Sequence, residues 1–318
     1  MSDVAVVAVG GNALTRADQE GTPEQIEDNA AQMAEGIANL CDAGWRVVVV
    51  HGNGPQVGNL SIQQEGGADL VPPQPLHALN AMSQGQLGSV LVRAIDSIRG
   101  ADTAVALISH MTVDSKDPAF ETPTKPIGPF FTKAQAFTLA EERGWNMQED
   151  AGRGYRRVVA SPRPLEMLES SSIETLLTAG KVVLAAGGGG IAVSREDGGR
   201  YRGVDAVIDK DSAAVRLARS VKAAVMILVT GVDAVSIDFG TPQARVIHEL
   251  PLALAEKYLA EGQFPAGSMG PKVRAGIDFV RDGGEAAVIT SAEHMLQALD
   301  PAGKVGTRIL PETAMSIA

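Results

Sequence analysis

The sequence predicts a doubly wound α/β fold around a largely parallel sheet. Three observations carry that prediction. Short β-branched apolar runs recur along the chain without polar alternation, stretches of helical spacing lie between them, and glycine-rich turns follow several of the runs. Strands buried on both faces read as continuous apolar runs, and alternation of such runs with helices is the pattern of an α/β fold.

The expected strands are Val4–Val9, Val47–Val50, Val182–Ala186, Val225–Val229 and Ala287–Ile289. Thr22-Pro23-Glu24-Gln25 is a capping box with proline at the first helical position. Ile26, Ala30, Met33, Ile37 and Leu40 follow at helical spacing, and Gly44 stops the helix. Ser171 to Glu174 repeats the capping signal, with Gly180 as its stop. Further helices are expected at Ser212–Ala218 and from Pro271 to residue 282. Residues 114–166, rich in Pro, Lys and Arg, break the pattern. They read as a lid or small subdomain inserted into the fold, with a hairpin and a helix at about 133–143, because long stretches without core periodicity are uncommon in compact domains unless functional.

The composition narrows the function. The 318 residues are 45% hydrophobic and 20% charged, which excludes a disordered chain. The net charge of -11 argues against non-specific nucleic-acid binding and against an anionic membrane surface. An anionic substrate must be held by a local cluster of positive groups. Cys41 is the only cysteine, so neither an intramolecular disulfide nor a cysteine zinc site is expected. The first residues carry no basic n-region, and no apolar run reaches ~18 residues. The expected address is the cytoplasm.

Glycine is over-represented, at 35 residues, and gathers in turns. These are Gly10-Gly11-Asn12, Gly52-Asn53-Gly54-Pro55, Gly187-Gly188-Gly189-Gly190 and Gly267-Ser268. Strand carboxyl ends share one edge of a parallel sheet, where glycine lets backbone N–H groups approach an anion. The spacings exclude familiar alternatives. GNGPQVG at 52–58 is not the dinucleotide pattern, Ser268 and Met269 stand where a phosphate loop starting at Gly262 needs Lys and Ser/Thr, and AGSMG at 266–270 is not a nucleophile elbow. The five histidines show no metal-ligand spacing. His51, beside the second turn, reads either as a substrate contact or as a hydrogen-bonded histidine at a strand end.

Three lysines lie beside these turns or beside prolines. Lys210 precedes a helix between Asp209 and Asp211, Lys272 sits in the first turn of its helix, and Lys125 lies in TPTKPIGPF. A cation at a helix start opposes the dipole, a placement that makes sense where an anion binds. The chemistry suggested is phosphoryl transfer, which demands positioning and charge neutralisation. Asp211 would hold the lysines together, or cap its helix, or both. Magnesium is expected to enter through nucleotide phosphates, since no carboxylate cage is visible.

Together these segments resemble carbamate kinase, of the amino acid kinase superfamily. The resemblance covers nearly the whole chain: VVAVGGNAL (6–14), VVVHGNGPQVGNL (48–60), TPTKPIGPF (122–130), EDAGRGYRRVVASPRP (149–164), AAGGGGIAV (185–193), GVDAVIDKDSA (203–213), LVTGVDAV (228–235), GSMGPK (267–272) and GTRI (306–309). KPIGPF and GGGGIAV are the segments most specific to carbamate kinases. The resemblance implies a three-layer αβα sandwich around a mainly parallel, roughly eight-stranded sheet. It implies one amino-acid-kinase-like domain over residues 1–318, with a carbamoyl-substrate lobe at 1–180, including the protruding subdomain at 114–166, and a nucleotide lobe at 181–318. It implies Lys125, Lys210, Asp211 and Lys272 as catalytic residues. Gly10, Gly11, Asn12, Gly52 and Asn53 would bind the carbamoyl substrate. Lys210, Gly231, Val232, Asp233, Phe239, Ser268, Met269 and Lys272 would bind ATP or ADP. A homodimer and a place in arginine metabolism are implied as well.

The implied reaction is reversible phosphoryl transfer between ATP and carbamate, run as ADP plus carbamoyl phosphate giving ATP, ammonia and CO2. Two rivals are a kinase of another small carboxylate or phosphonate on the same fold, and a nucleotide-binding regulator. Many superfamily kinases carry Lys two residues before the first Gly-Gly. Ala8 stands there in this chain, which argues against acetylglutamate or aspartate kinase. Against carbamate kinases, Ala192 replaces an expected proline, and SREDGGRYRG (194–203) is a short insert.

Overall fold

A computed structural model describes residues 3–10, 14–16, 19–150, 152–265 and 267–312. In chain order its first elements are β1 (Val4–Val9), α1 (Pro23–Asp42), β2 (Arg46–His51), α2 (Gly54–Gly66), α3 (Leu76–Arg99), β3 (Ala104–Ala106) and β4 (His110–Thr112). Then come β5 (Lys125–Phe131), α4 (Lys133–Arg143), β6 (Met147–Glu149), β7 (Tyr155–Val159), α5 (Ser170–Thr178), β8 (Val182–Leu184), β9 (Ile191–Arg195), β10 (Tyr201–Gly203) and α6 (Lys210–Ser220). The last are β11 (Val225–Val229), β12 (Val235–Ile237), β13 (Arg245–Ile247), β14 (Glu249–Pro251), α7 (Leu252–Ala260), α8 (Met269–Arg281), β15 (Ala286–Thr290) and β16 (Thr307–Leu310).

One eight-stranded sheet runs in the order β14-β16-β15-β11-β1-β2-β8-β3. The six strands from β15 to β3 are mutually parallel; β16 pairs antiparallel with β15 and parallel with β14. The strands are buried on both faces, so their residues feed two cores in alternation. Val4, Val6 and Ala8 of β1 pack with Ala213, Ala214 and Leu217 of α6 and with Val273 and Ile277 of α8. Val7 and Val9 pack with Met33 and Ile37 of α1 and with Leu87 and Leu91 of α3. This is the three-layer αβα sandwich expected from the sequence.

The local signals explain most boundaries. Thr22 caps α1, and the Gln25 side chain accepts from the Thr22 N–H at 3.2 Å, closing the capping box. Three expectations are corrected. Helix α5 starts at Ser170 behind Glu169, so Ser171 is not its cap; the Glu169 carboxylate is engaged by the backbone N–H of His110 and by its Nδ1, each at 2.8 Å. Helix α8 begins at Met269, ahead of Pro271, because a proline in the first turn removes no intrahelical hydrogen bond. Strand β8 ends at Leu184 because Ala186 turns left-handed, at φ 52°.

The 114–166 excursion carries a three-stranded antiparallel sheet, β5-β7-β6, and α4 over Lys133–Arg143. It is fixed to α2 in two ways. Glu65 accepts from Trp145 Nε1 at 3.0 Å and from Arg143. Gly58 lies against Gly128 so closely that a Cβ on Gly58 would overlap the Gly128 backbone. Gly58→Ala is therefore expected to push β5 off α2. Overpacking of this kind costs about 1–3 kcal/mol. The expected result is a lower unfolding temperature with faster hydrogen exchange confined to residues 125–159. An unchanged exchange pattern would refute the close approach.

Candidate active site

Two of the turns predicted to cradle an anion, at Gly10 and at Gly52, sit along one edge of the sheet. Gly10 follows β1, and its Cα carries no side chain where the Val229 carbonyl approaches. The Gly52 N–H donates to the Val9 carbonyl at 3.0 Å, which sets the second turn beside the first. Asn53 is 2% exposed and stands at the N-cap of α2, although its side chain makes no capping bond. Its Nδ2 donates instead to Ser83 Oγ at 2.7 Å and to Asn80 Oδ1. Gly11 and Asn12 lie outside the described residues.

The Gly187–Gly190 turn has a different place. It is buried behind the Asn53 turn. Asn80 Nδ2 donates to the Gly190 carbonyl at 2.7 Å, and Gln84 Nε2 to the Gly187 carbonyl at 2.9 Å. Side chains on Gly187 or Gly188 would collide with His51, Asn53 and Asn80. These glycines therefore give the polar side chains room; they do not face outward as a cradle. His51 is the hydrogen-bonded histidine at a strand end. It is 2% exposed, its Nδ1–H donates to the Gly52 carbonyl at 3.2 Å, and burial pushes its pKa down to about 4, so the ring is neutral.

The charged residues converge at the start of α6. Asp209 is the N-cap, its carboxylate accepting from the N–H groups of Asp211 and Ser212 at 3.0 Å each. This corrects the reading of Asp211 as the cap. Asp211 sits one step inside the helix and is 3% exposed. Lys210 Nζ approaches one of its oxygens at 2.7 Å, and Lys272 Nζ, from α8, approaches the other at 3.2 Å. Lys125 does not reach Asp211; it pairs with Asp209 at 2.7 Å. The result is three ammonium groups and two carboxylates at one helix N-terminus.

The two buried lysines respond differently because their partners differ. Burial penalises both charges. For Lys210, Asp211 and Asp209 together outweigh burial and raise its pKa. Lys272 has Asp211 alone and feels repulsion from Lys210, so burial prevails and its pKa falls to about 8. Burial also works against the ionised form of both carboxyls, yet the neighbouring lysines hold Asp209 and Asp211 below the usual carboxylate range. The site carries one positive charge more than it neutralises, which suits a phosphoryl group.

Of the residues expected around the nucleotide, Gly231–Asp233 lie at the same edge. Gly231, Val232 and Asp233 follow β11, the partner of β1. Val232 is 46% exposed, and Asp233 Oδ1 accepts from His294 Nδ1 at 3.0 Å. Phe239 is 73% exposed on a turn whose Asp238 N–H donates to Gln263 Oε1 at 2.8 Å, and Ser268 and Met269 form the start of α8. Sequence reasoning did not single out Asp209, Asn80, Ser83 or Gln84. Asp209 was visible as a carboxylate directly before a helix. The α3 residues gave no signal, since their role depends on the approach of a distant turn.

The amino acid kinase family profile matches residues 3–291. The carbamate kinase of Pyrococcus horikoshii is 42% identical, over 98% of this chain and 100% of its own length. The carbamate kinase of Giardia lamblia bound to citric acid superimposes with a TM-score of 0.91 at 39% identity, over 98% of this chain and 99% of that one. The same enzyme bound to AMP-PNP gives 0.88 at 40%, with the same coverage.

Asp211→Asn tests the charge cluster. It leaves Lys210 and Lys272 buried side by side without their shared carboxylate, and such an uncompensated charge costs about 3–5 kcal/mol. Denaturant unfolding is expected to show that deficit at pH 7 and a smaller one at pH 9, where Lys272 is neutral. A deficit independent of pH would contradict the arrangement.

Proposed function

We propose that this chain, which belongs to the amino acid kinase family and within it to the carbamate kinases, transfers a phosphoryl group between ATP and carbamate. The useful direction is ADP plus carbamoyl phosphate giving ATP and carbamate, which breaks down to ammonia and CO2. The observation that carries the reading is the pair of lysines, from α6 and α8, held on one buried carboxylate. Phosphoryl transfer needs little covalent help from a protein; it needs groups placed where charge spreads over the transferring oxygens.

In this reading Lys210 and Lys272 contact the transferring phosphoryl group, and Asp211 keeps both in place. Lys125, carried by the excursion, clamps the carbamoyl phosphate. Backbone N–H groups at Gly10 and Asn53, together with Gly11 and Asn12, hold the small substrate, and Gly52, whose own N–H is bound to the Val9 carbonyl, gives it room to approach the turn. Gly231–Asp233, Phe239, Ser268 and Met269 take the nucleotide. Residues 1–180 then serve mainly the carbamoyl side and 181–318 the nucleotide side. Magnesium would come with the nucleotide phosphates and neutralise their charge. The donor set suits that route: Asp209 and Asp211 are engaged by lysines, and the described residues contain no cluster of three His, Cys, Asp or Glu able to hold a metal. No described helix is long and apolar enough to cross a membrane. A homodimer working in the cytoplasm completes the proposal.

The test is ATP formation from ADP, Mg2+ and carbamoyl phosphate. Lys210→Ala and Lys272→Ala are each expected to stay folded and lose about 10²–10³ in kcat, the usual cost of one such contact. Near-normal turnover in either variant would remove that lysine from the mechanism. No turnover in a folded wild-type protein that binds ADP would point to another small carboxylate or phosphonate.

The pH profile is a separate check. Lys272 is charged below about pH 8 and neutral above it. Hence kcat/KM, which reports the free enzyme, is expected to fall above pH 8. Lys272→Arg should move that fall to higher pH, since a guanidinium stays protonated. An unmoved alkaline limb would assign it to another group.

A further inference from the structure

The seam between the excursion and the body holds an open cleft of about 370 Å³. That is within the usual size of small-molecule sites, ~300–1,000 Å³. None of the lysines or glycine turns of the candidate active site lines it. Three charged groups do: Arg157 on β7 of the excursion, and Glu65 and Asp205 on the body.

Arg157 and Asp205 have unused capacity. The Arg157 guanidinium lies over the Trp145 ring at 4.5 Å and donates to Ser61 Oγ at 2.7 Å. A guanidinium has five N–H donors. Its carboxylate neighbour, Glu65, is 3.7 Å away, beyond hydrogen-bond reach, because Glu65 is drawn to Arg143 and Trp145 Nε1. Burial works against the charge on Arg157, while Glu65 and Asp205 favour it. Asp205 accepts from the Leu76 N–H at 3.0 Å and from His77 Nδ1 at 3.4 Å, both through Oδ1. Among the described residues, no ion pair joins Asp205 to Arg157. A largely buried cation on one wall and a more exposed carboxylate on the other, each held by other partners, present complementary ends to a ligand.

We propose that this cleft binds a small zwitterion of the α-amino-acid class, with its carboxylate on Arg157 and its ammonium on Asp205. The charge pattern selects that class. A polyanion would be repelled by Glu65 and Asp205, and a simple cation by Arg157. The side chain of the ligand would lie on Leu76 and Leu79. One wall belongs to the excursion and the other to the body, so an occupant braces the two. Val159, in that wall, is the cross-strand partner of Lys125. The occupant therefore also biases where Lys125 stands. Binding itself does not depend on the proposed reaction.

The experiment is isothermal titration of the full chain with each standard amino acid, on wild type, Asp205→Asn and Arg157→Gln. At least one amino acid is expected to bind wild type saturably. Each substitution removes a charged hydrogen bond and should weaken that binding by about tenfold or more. ADP binding in Asp205→Asn should be unchanged, and if Arg157→Gln does not fold, Asp205→Asn decides. Absence of binding to wild type overturns the proposal. So does binding that Asp205→Asn leaves intact, or binding displaced by carbamoyl phosphate, which would place it in the active site.

Discussion

The Asp211 carboxylate is the constraint around which the rest of the site is arranged. Two ammonium groups at that edge would repel each other and pay heavily for burial without an anion between them. With Asp211 between them, at 2.7 and 3.2 Å, both stay in one place. The carboxylate itself is tolerable because it lies in the first turn of α6, where the helix dipole favours negative charge. The cluster joins α6 to α8, two helices on the same face of the sheet. Its geometry is therefore as rigid as the core beneath it, which suits a reaction governed by placement.

The other half of the edge is stiffened without charge. Asn53, Asn80, Ser83 and Gln84 are all buried, and each has a hydrogen bond. A buried polar network is favourable when satisfied in this way. The Gly187–Gly190 turn makes it possible, because no larger residue leaves space for the amides at that point. The glycines are thus one step removed from any ligand and act through the asparagine they accommodate.

Much of this was legible in the sequence, for identifiable reasons. The strands showed themselves because β-branched runs buried on both faces have no polar residues to disguise them. The start of α1 was legible because Thr22 and Gln25 satisfy each other locally. Lys210, Asp211 and Lys272 stood out as charges at helix starts. What could not be read depended on long-range approach. The fit of Gly58 to Gly128, the pairing of Lys125 with Asp209 and the amides of α3 behind the Gly187 turn all join segments far apart in the chain. The start of α5 was misplaced for the same reason, since the carboxylate before it is occupied by His110 on another element.

Ala8 shows how the same edge can be charged by a different route. It is fully buried on the face of β1 that packs against α6, together with Ala213 and Ala214. Three small side chains at that contact let the helix lie close to the strand. A long cation at position 8 would compete with that close packing. The positive charge that the proposed chemistry needs is instead delivered from α6 and α8, with Lys125 added by the excursion. In a chain with a net charge of -11, the three cations of this edge come from three different elements, and each is fixed by Asp209 or Asp211 at the start of α6.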